Sequence, residues 1–311
     1  MPILPIQESL LPADEFQCRG KQYTAMATEP VPFRTSDVVN IASVPHRSPF
    51  RYPGGKTWLV PRIRQWLGSL RSKPQELAEP FAGGAIVGLS ALFEDFVGRL
   101  VLVEKDEDVA SVWDVLINGE AGRLADAILQ FDLSAKSARA VLAKDHTTVF
   151  DRAFATIVRN RVQRGGILAP GASLIKKGEN GRGVRSRWYP VTLSRRIEAI
   201  SQARRDISFI RGDGTDFIRY NAHRADTVFF IDPPYTLAGR RLYRHSELNH
   251  RELFRVASTI QGDFLMTYDN AKEIRQLANE FNFATALVAM KNTHHEIMKE
   301  LLVGRDLNWL K

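Results

Sequence analysis

At 311 residues, 44% of them hydrophobic and 25% charged, the chain can bury a substantial core as one large domain or two modest ones. Its single cysteine, Cys18, excludes an internal disulfide framework and a cysteine-ligated metal site, and fits a reducing cytoplasm. The net charge of +8 points to an anionic partner, while no apolar run approaches the roughly 20 residues of a membrane span and no secretory signal is evident. Residues 1–45 carry six prolines without sustained periodicity and read as an irregular arm. Phe50-Arg51-Tyr52-Pro53-Gly54-Gly55-Lys56 reads as a loop, after which Trp58, Val60, Ile63, Trp66 and Leu67 recur at roughly helical spacing. A short strand at 76–79 ends on Pro80-Phe81-Ala82-Gly83-Gly84-Ala85, an apolar helix runs through Phe93, and residues 99–103 form the next strand, closing on Glu104. Strand, glycine turn, helix, strand and acid together make the βαβ grammar of a nucleotide-binding sheet.

Residues 107–200 read as mostly helical, interrupted by a basic stretch with glycines from Gly165 to Gly183. Between Arg159 and Arg196 stand ten Lys or Arg and one acid, Glu179, so this segment carries +9 and the rest of the chain −1. Such concentration argues for a polyanion, nucleic acid first, with a solvated basic loop as the plain alternative. Strands resume at 207–210, with Asp213 in the following turn, then at 228–231, 264–266, 284–290 and 300–303. The expectation is an α/β architecture with one parallel-type sheet and a helical, basic insertion between its second and third strands.

The run Thr227-Val228-Phe229-Phe230-Ile231 reads as a buried strand that must stop at Asp232-Pro233-Pro234-Tyr235, because two prolines lack donors and fix φ. That corner displays a carboxylate, a carbonyl and an aromatic ring at a strand's carboxyl end, where open α/β sheets bind ligands. Asp232 and the Pro233 carbonyl can accept both N–H bonds of an exocyclic amine while Tyr235 stacks on its ring; a capped Pro-Pro turn is the plainer reading. Gly83 and Gly84 permit close backbone approach, and Glu104, 20 residues beyond Gly84, has the spacing of an acid that binds ribose hydroxyls. Asp213 can accept from an adenine amine, although each acid alone reads equally as a cap or a surface carboxylate. Together these loops point to an adenosine-containing cofactor. Pro53-Gly54-Gly55-Lys56-Thr57 is no phosphate loop, since Phe50 occupies the first glycine position and no strand precedes it. Lys56 is expected instead to pair a cofactor carboxylate, with Tyr52 nearby. His245, His250, His294 and His295 have no metal-ligand spacing, so no metal is expected.

Taken together, the segments from about residue 46 to the end resemble the Dam-type DNA adenine-N6 methyltransferases. Phe50-x-Tyr52-x-Gly54-Gly55-Lys56 resembles the family's opening motif, Glu79-Pro80-Phe81-x-Gly83-Gly84 its S-adenosylmethionine motif, and Asp232-Pro233-Pro234-Tyr235 its catalytic motif. Leu242-Tyr243 and Asn249-His250-x-x-Leu253 are similar to the segment after the catalytic loop, and Lys299-Glu300-Leu301-Leu302 to the final strand. Ala85 departs from the family's glycine, and the basic segment matches only through Asn160-Arg161. The resemblance implies a Rossmann-like methyltransferase sheet, mostly parallel with an antiparallel C-terminal strand, flanked by helices. Beyond the irregular arm (1–45), which has no counterpart in the family, it divides the chain into a catalytic domain (46–117 and 201–311) and a DNA target-recognition insertion (118–200). Tyr52, Lys56, Phe81, Gly83, Glu104, Asp213 and Asp232 would line the S-adenosylmethionine site, and Asp232, Pro233, Pro234 and Tyr235 would act on a flipped-out adenine in double-stranded DNA. Arg161, Arg185, Arg187, Arg240, Arg241 and Arg244 would contact DNA. A homodimer and a cognate restriction nuclease are compatible partners, and the implied place is bacterial or phage cytoplasm at the nucleoid. Cytosine-N4 or RNA-adenine methylation, glutamine methylation of a protein and an inactive DNA-binding relative stay open as alternatives.

Overall fold

The computed structural model describes residues 43–51, 55–166, 168, 173–178, 181–234, 248–291 and 297–310. The arm expected at 1–45 therefore falls almost wholly outside the described residues, as do Tyr52, Tyr235, Arg240, Arg241 and Arg244.

Seven strands form one sheet: β1 (Glu76–Glu79), β2 (Arg99–Glu104), β3 (Ile207–Arg211), β4 (Thr227–Ile231), β5 (Phe264–Asp269), β6 (Ala284–Lys291) and β7 (Ile297–Gly304). Their order is β3-β2-β1-β4-β5-β7-β6. The first five run parallel, while β7 inserts between β5 and β6, antiparallel to both. The expected mostly parallel, Rossmann-like sheet is thus present, with its antiparallel strand at the C-terminal end of the chain. β4 is buried along its whole length, as a parallel strand covered on both faces must be.

Alternation along the strands assigns side chains to two cores. Leu77, Leu100, Leu102, Val228 and Phe230 face one, packed by α1 (Val60–Ser69), α2 (Ile86–Phe93) and α3 (Glu107–Ile117). Ala78, Val101, Val103, Phe229 and Ile231 face the other, covered by α8 (Gly214–Asn221), α9 (His250–Ser258) and α10 (Lys272–Glu280). Between α3 and β3 come α4 (Ala121–Gln130), α5 (Ala135–Leu142), α6 (Val149–Val162) and α7 (Pro190–Gln202).

Leu124, Ile128, Ile157, Val158, Leu193 and Ile197 of this helical segment belong to the same apolar core as Leu77 and Leu100. Residues 118–200 accordingly build an extra layer on one face of the sheet, not a body with its own core. The boundary expected at 200 falls inside α7, which continues to Gln202 because Ile197 and Ile200 keep its apolar face buried.

Candidate functional site at the carboxyl edge of the sheet

The strand order reverses between β1 and β4, the switch point at whose carboxyl side open α/β sheets bind ligands. Pro80 stops β1, and the chain turns with Gly83 at φ 46° and Ala85 at φ 48° before α2 begins. That left-handed geometry is free for glycine and costs alanine about 1–2 kcal/mol. The turn is anchored on both sides: the Ala82 N–H donates to the Val103 carbonyl at 2.9 Å, and the Trp113 indole donates to the Gly83 carbonyl at 3.0 Å.

Glu104, closing β2, accepts the Gly83 N–H on one oxygen and the Lys105 and Asp106 N–H groups on the other, each at 2.9 Å. Burial pushes this carboxyl up to about 7, although the three amides pull the other way. Three bonds leave about one of a carboxylate's four lone-pair positions for a ligand hydroxyl. A Cβ on Gly214 would collide with the Pro80 carbonyl, so α8 starts hard against the β1 loop, with Gly214 close to Phe81 and Asp213 the residue just before it. Asp213 caps α8 by accepting the Thr215 and Asp216 amides and pairs with Lys105 at 3.0 Å. Burial would raise its carboxyl, but Lys105 and the amides hold it below the ordinary range. Phe81, Gly83, Glu104 and Asp213 therefore come together at the ends of three neighbouring strands, with Asp213 a helix cap as well.

One strand further on, Asp232 leaves β4 with a quarter of its side chain exposed. Its Oδ1 meets Lys56 Nζ at 3.0 Å and accepts the Thr267 hydroxyl at 2.6 Å. Lys56 is only 4% exposed and stands 3.9 Å from Glu300 on β7. Lys56, expected to pair a cofactor carboxylate, lies against the site's own acids, as a buried cation needs anionic partners. Glu79, at the end of β1, accepts the Gly88 N–H of α2, and burial, with Asp232 adding to it, raises its carboxyl to about 8. Thr267 and Glu300 were not singled out as site residues from the sequence. Their signal was a polar residue inside an otherwise apolar buried strand.

The basic layer divides. Arg164, Lys176, Lys177, Arg182, Arg185 and Arg195 are exposed. Arg161, expected against DNA, is 5% exposed and donates to the Pro49 carbonyl at 2.6 Å, so it has no face to offer a phosphate. The reason is its place near the end of α6, against Pro49, Arg51 and Arg196. Arg185 reaches the Leu133 carbonyl and pairs with Asp132 at 3.0 Å, and Arg187 is half-buried. Arg159 pairs with Asp108 at 2.6 Å. Asn160, wholly buried, grips the N–H and carbonyl of Arg51 at 2.8 Å and the Gly166 carbonyl at 2.9 Å, which holds the segment that leads to Lys56. Among the described residues no cluster of His, Cys, Asp or Glu is arranged to hold a metal, and no helix is long and apolar enough to cross a membrane.

No family model matches the chain, and no curated protein matches it either. Among solved structures, it is similar to an rRNA methyltransferase, aviRa, from Streptomyces viridochromogenes at 15% identity and a TM-score of 0.37, covering 88% of this chain and 93% of that one. An RNA-methyltransferase candidate from Pyrococcus horikoshii matches at 12% identity and a TM-score of 0.37, covering 82% and 84%. A precorrin-6y C5,15-methyltransferase from Geobacter metallireducens matches at 6% and 0.34, covering 78% and 84%. Likeness at this level carries no argument about activity or substrate.

Proposed function

We propose that the protein is an S-adenosylmethionine-dependent methyltransferase that modifies the N6 amine of an adenine flipped out of double-stranded DNA. The observation that carries this reading is the meeting of two corners at one topological switch point. One is Asp232-Pro233-Pro234 with its buried Lys56, and the other is the glycine turn backed by Glu104.

The second corner fits the cofactor by the chemistry of its groups. Glu104 and Asp213 offer acceptors for ribose hydroxyls and an adenine amine, Phe81 offers a ring, and Gly83 offers a backbone without a Cβ. When bound, S-adenosylmethionine supplies an electrophilic methyl on a sulfonium. The remaining work falls to the chain. Asp232 and the Pro233 carbonyl accept the two hydrogens of the target amine, which turns its lone pair out of conjugation and toward the donor. The Asp232 carboxylate also stabilises the positive charge that develops on the nitrogen. Holding both reactants in line replaces an encounter in solution, worth effective molarities of about 10⁵–10⁸ M in favourable cases. No strong base is needed beforehand, because the amine would attack while neutral; the C–S electron pair would stay on the departing thioether sulfur, and the methylated nitrogen would then release its extra proton to solvent. Extruding the base costs a few kcal/mol, and the exposed cations of the helical layer offer phosphate contacts that hold the duplex during that step.

The test is incubation with unmethylated duplex DNA and methyl-labelled S-adenosylmethionine, followed by mass analysis of the nucleosides, with Asp232→Ala alongside. N6-methyladenine from the native protein, reduced at least about 10²-fold in the variant, supports the reading. N4-methylcytosine, or label entering RNA alone, moves the substrate. No transfer to any nucleic acid overturns it.

A further inference from the structure

Thr267 lies in β5 next to β4 and is 0% exposed. A hydroxyl buried there must find a partner or be destabilising, whereas valine would fill the same space without that demand. Its partner is Asp232: the Thr267 hydroxyl donates to Oδ1 at 2.6 Å. Lys56 Nζ meets the same oxygen at 3.0 Å. The two groups come from separate elements, the turn before α1 and the middle of β5. Both reach one oxygen of the carboxylate, and among the described residues no donor bonds the other, Oδ2.

A hydrogen bond and an ion pair on one oxygen define an orientation that neither would fix alone. A lysine ammonium is a compact charge that tolerates many angles, while a hydroxyl on a β-branched side chain has few. We propose that Thr267 is a positioning residue. Its hydroxyl locks the Asp232 carboxylate so that Oδ1 stays within the protein and Oδ2 is presented to the target amine. This rests on the amino-methylation reading above. Thr267 itself touches no substrate; it acts through Asp232, as groups behind a metal ligand or a catalytic base act through the residue they orient.

The experiment compares native protein, Thr267→Val and Thr267→Ser in methyl transfer to duplex DNA, recording kcat, KM for S-adenosylmethionine and DNA affinity. The expected result is a kcat lowered about 10–100-fold in Thr267→Val, with KM and DNA affinity within about 2-fold, and recovery to within about 3-fold in Thr267→Ser. Unchanged kcat in Thr267→Val overturns the proposal. So does an equal loss in both variants, or a loss that appears mainly in KM, since these mark a packing role. Should Thr267→Val fail to fold, Thr267→Ala against Thr267→Ser decides by the same comparison of kcat. A native protein that transfers no methyl group fails the parent reading; an active native protein with an equally active Thr267→Val fails this inference alone.

Discussion

At the carboxyl edge of the sheet, Glu79, Glu104, Asp232 and Glu300 gather with one buried cation, Lys56, among them. In the helical layer the signs reverse. Arg161 and Arg196 converge on residues 46–51, and their bonded partners are the Pro49 and Ser48 carbonyls in place of carboxylates. Burial penalises the charged form in both regions, so it raises Glu79 to about 8 and lowers Arg161 to about 9, the latter helped by repulsion from Arg196 and Arg51. The comparison teaches that burial acts on clustered titratable groups in opposite directions according to their sign. The acids cluster at the strand ends around Lys56, while the inner arginines staple a loop and the others of the basic run stay exposed.

Lys56→Met gives the sharpest break on the acidic side. It leaves Asp232 and Glu300 without the cation between them and should cost about 3–5 kcal/mol of unfolding free energy, read from urea melts. On the basic side, Asn160→Ala removes three bonds to buried or half-buried backbone groups and should cost about 3 kcal/mol. Because Asn160 holds the approach to Lys56, the same variant should lower methyl transfer, whereas Arg195→Ala, on the exposed face, should change only DNA affinity and its salt dependence.

The acids make a prediction in pH. The folded protein keeps a proton on Glu79 up to about 8, while the unfolded chain releases it near the ordinary 4.5. Stability is therefore fullest below that lower value and falls as pH rises toward 8, with Glu104 adding a fall that ends near 7. The slope should reach about 1.4 kcal/mol per pH unit at most for each group. Glu79→Gln keeps an oxygen for the Gly88 N–H and should flatten the curve; melts at about pH 5 and about pH 8 that differ as much as in native protein would contradict it. The smallest effect is expected at the glycine turn. Ala85→Gly relieves a left-handed alanine but loosens the unfolded chain, for a net gain of about 0.5–1 kcal/mol in thermal melts.

Much of the molecule was legible in its residues. Strand alternation, the Pro80 and Pro233-Pro234 stops and the acids at strand ends located all seven strands and placed Glu104, Asp213 and Asp232 at their termini, because period, donors and φ are local properties. What could not be read was which charges would be buried. Arg161 and Arg185 look alike in a basic run, and only the tertiary packing that set Arg161 against Pro49 put one inside and left the other exposed. Lys56, too, read as a ligand for something absent until the fold set it against Asp232, 176 residues away in the chain. Local pattern determined the sheet, its order of motifs and the edge where chemistry belongs. Partnership among Lys56, Asp232, Thr267 and Glu300 was decided by tertiary structure, since it depends on three strands and a turn meeting in space, and no spacing along the chain encodes that distance.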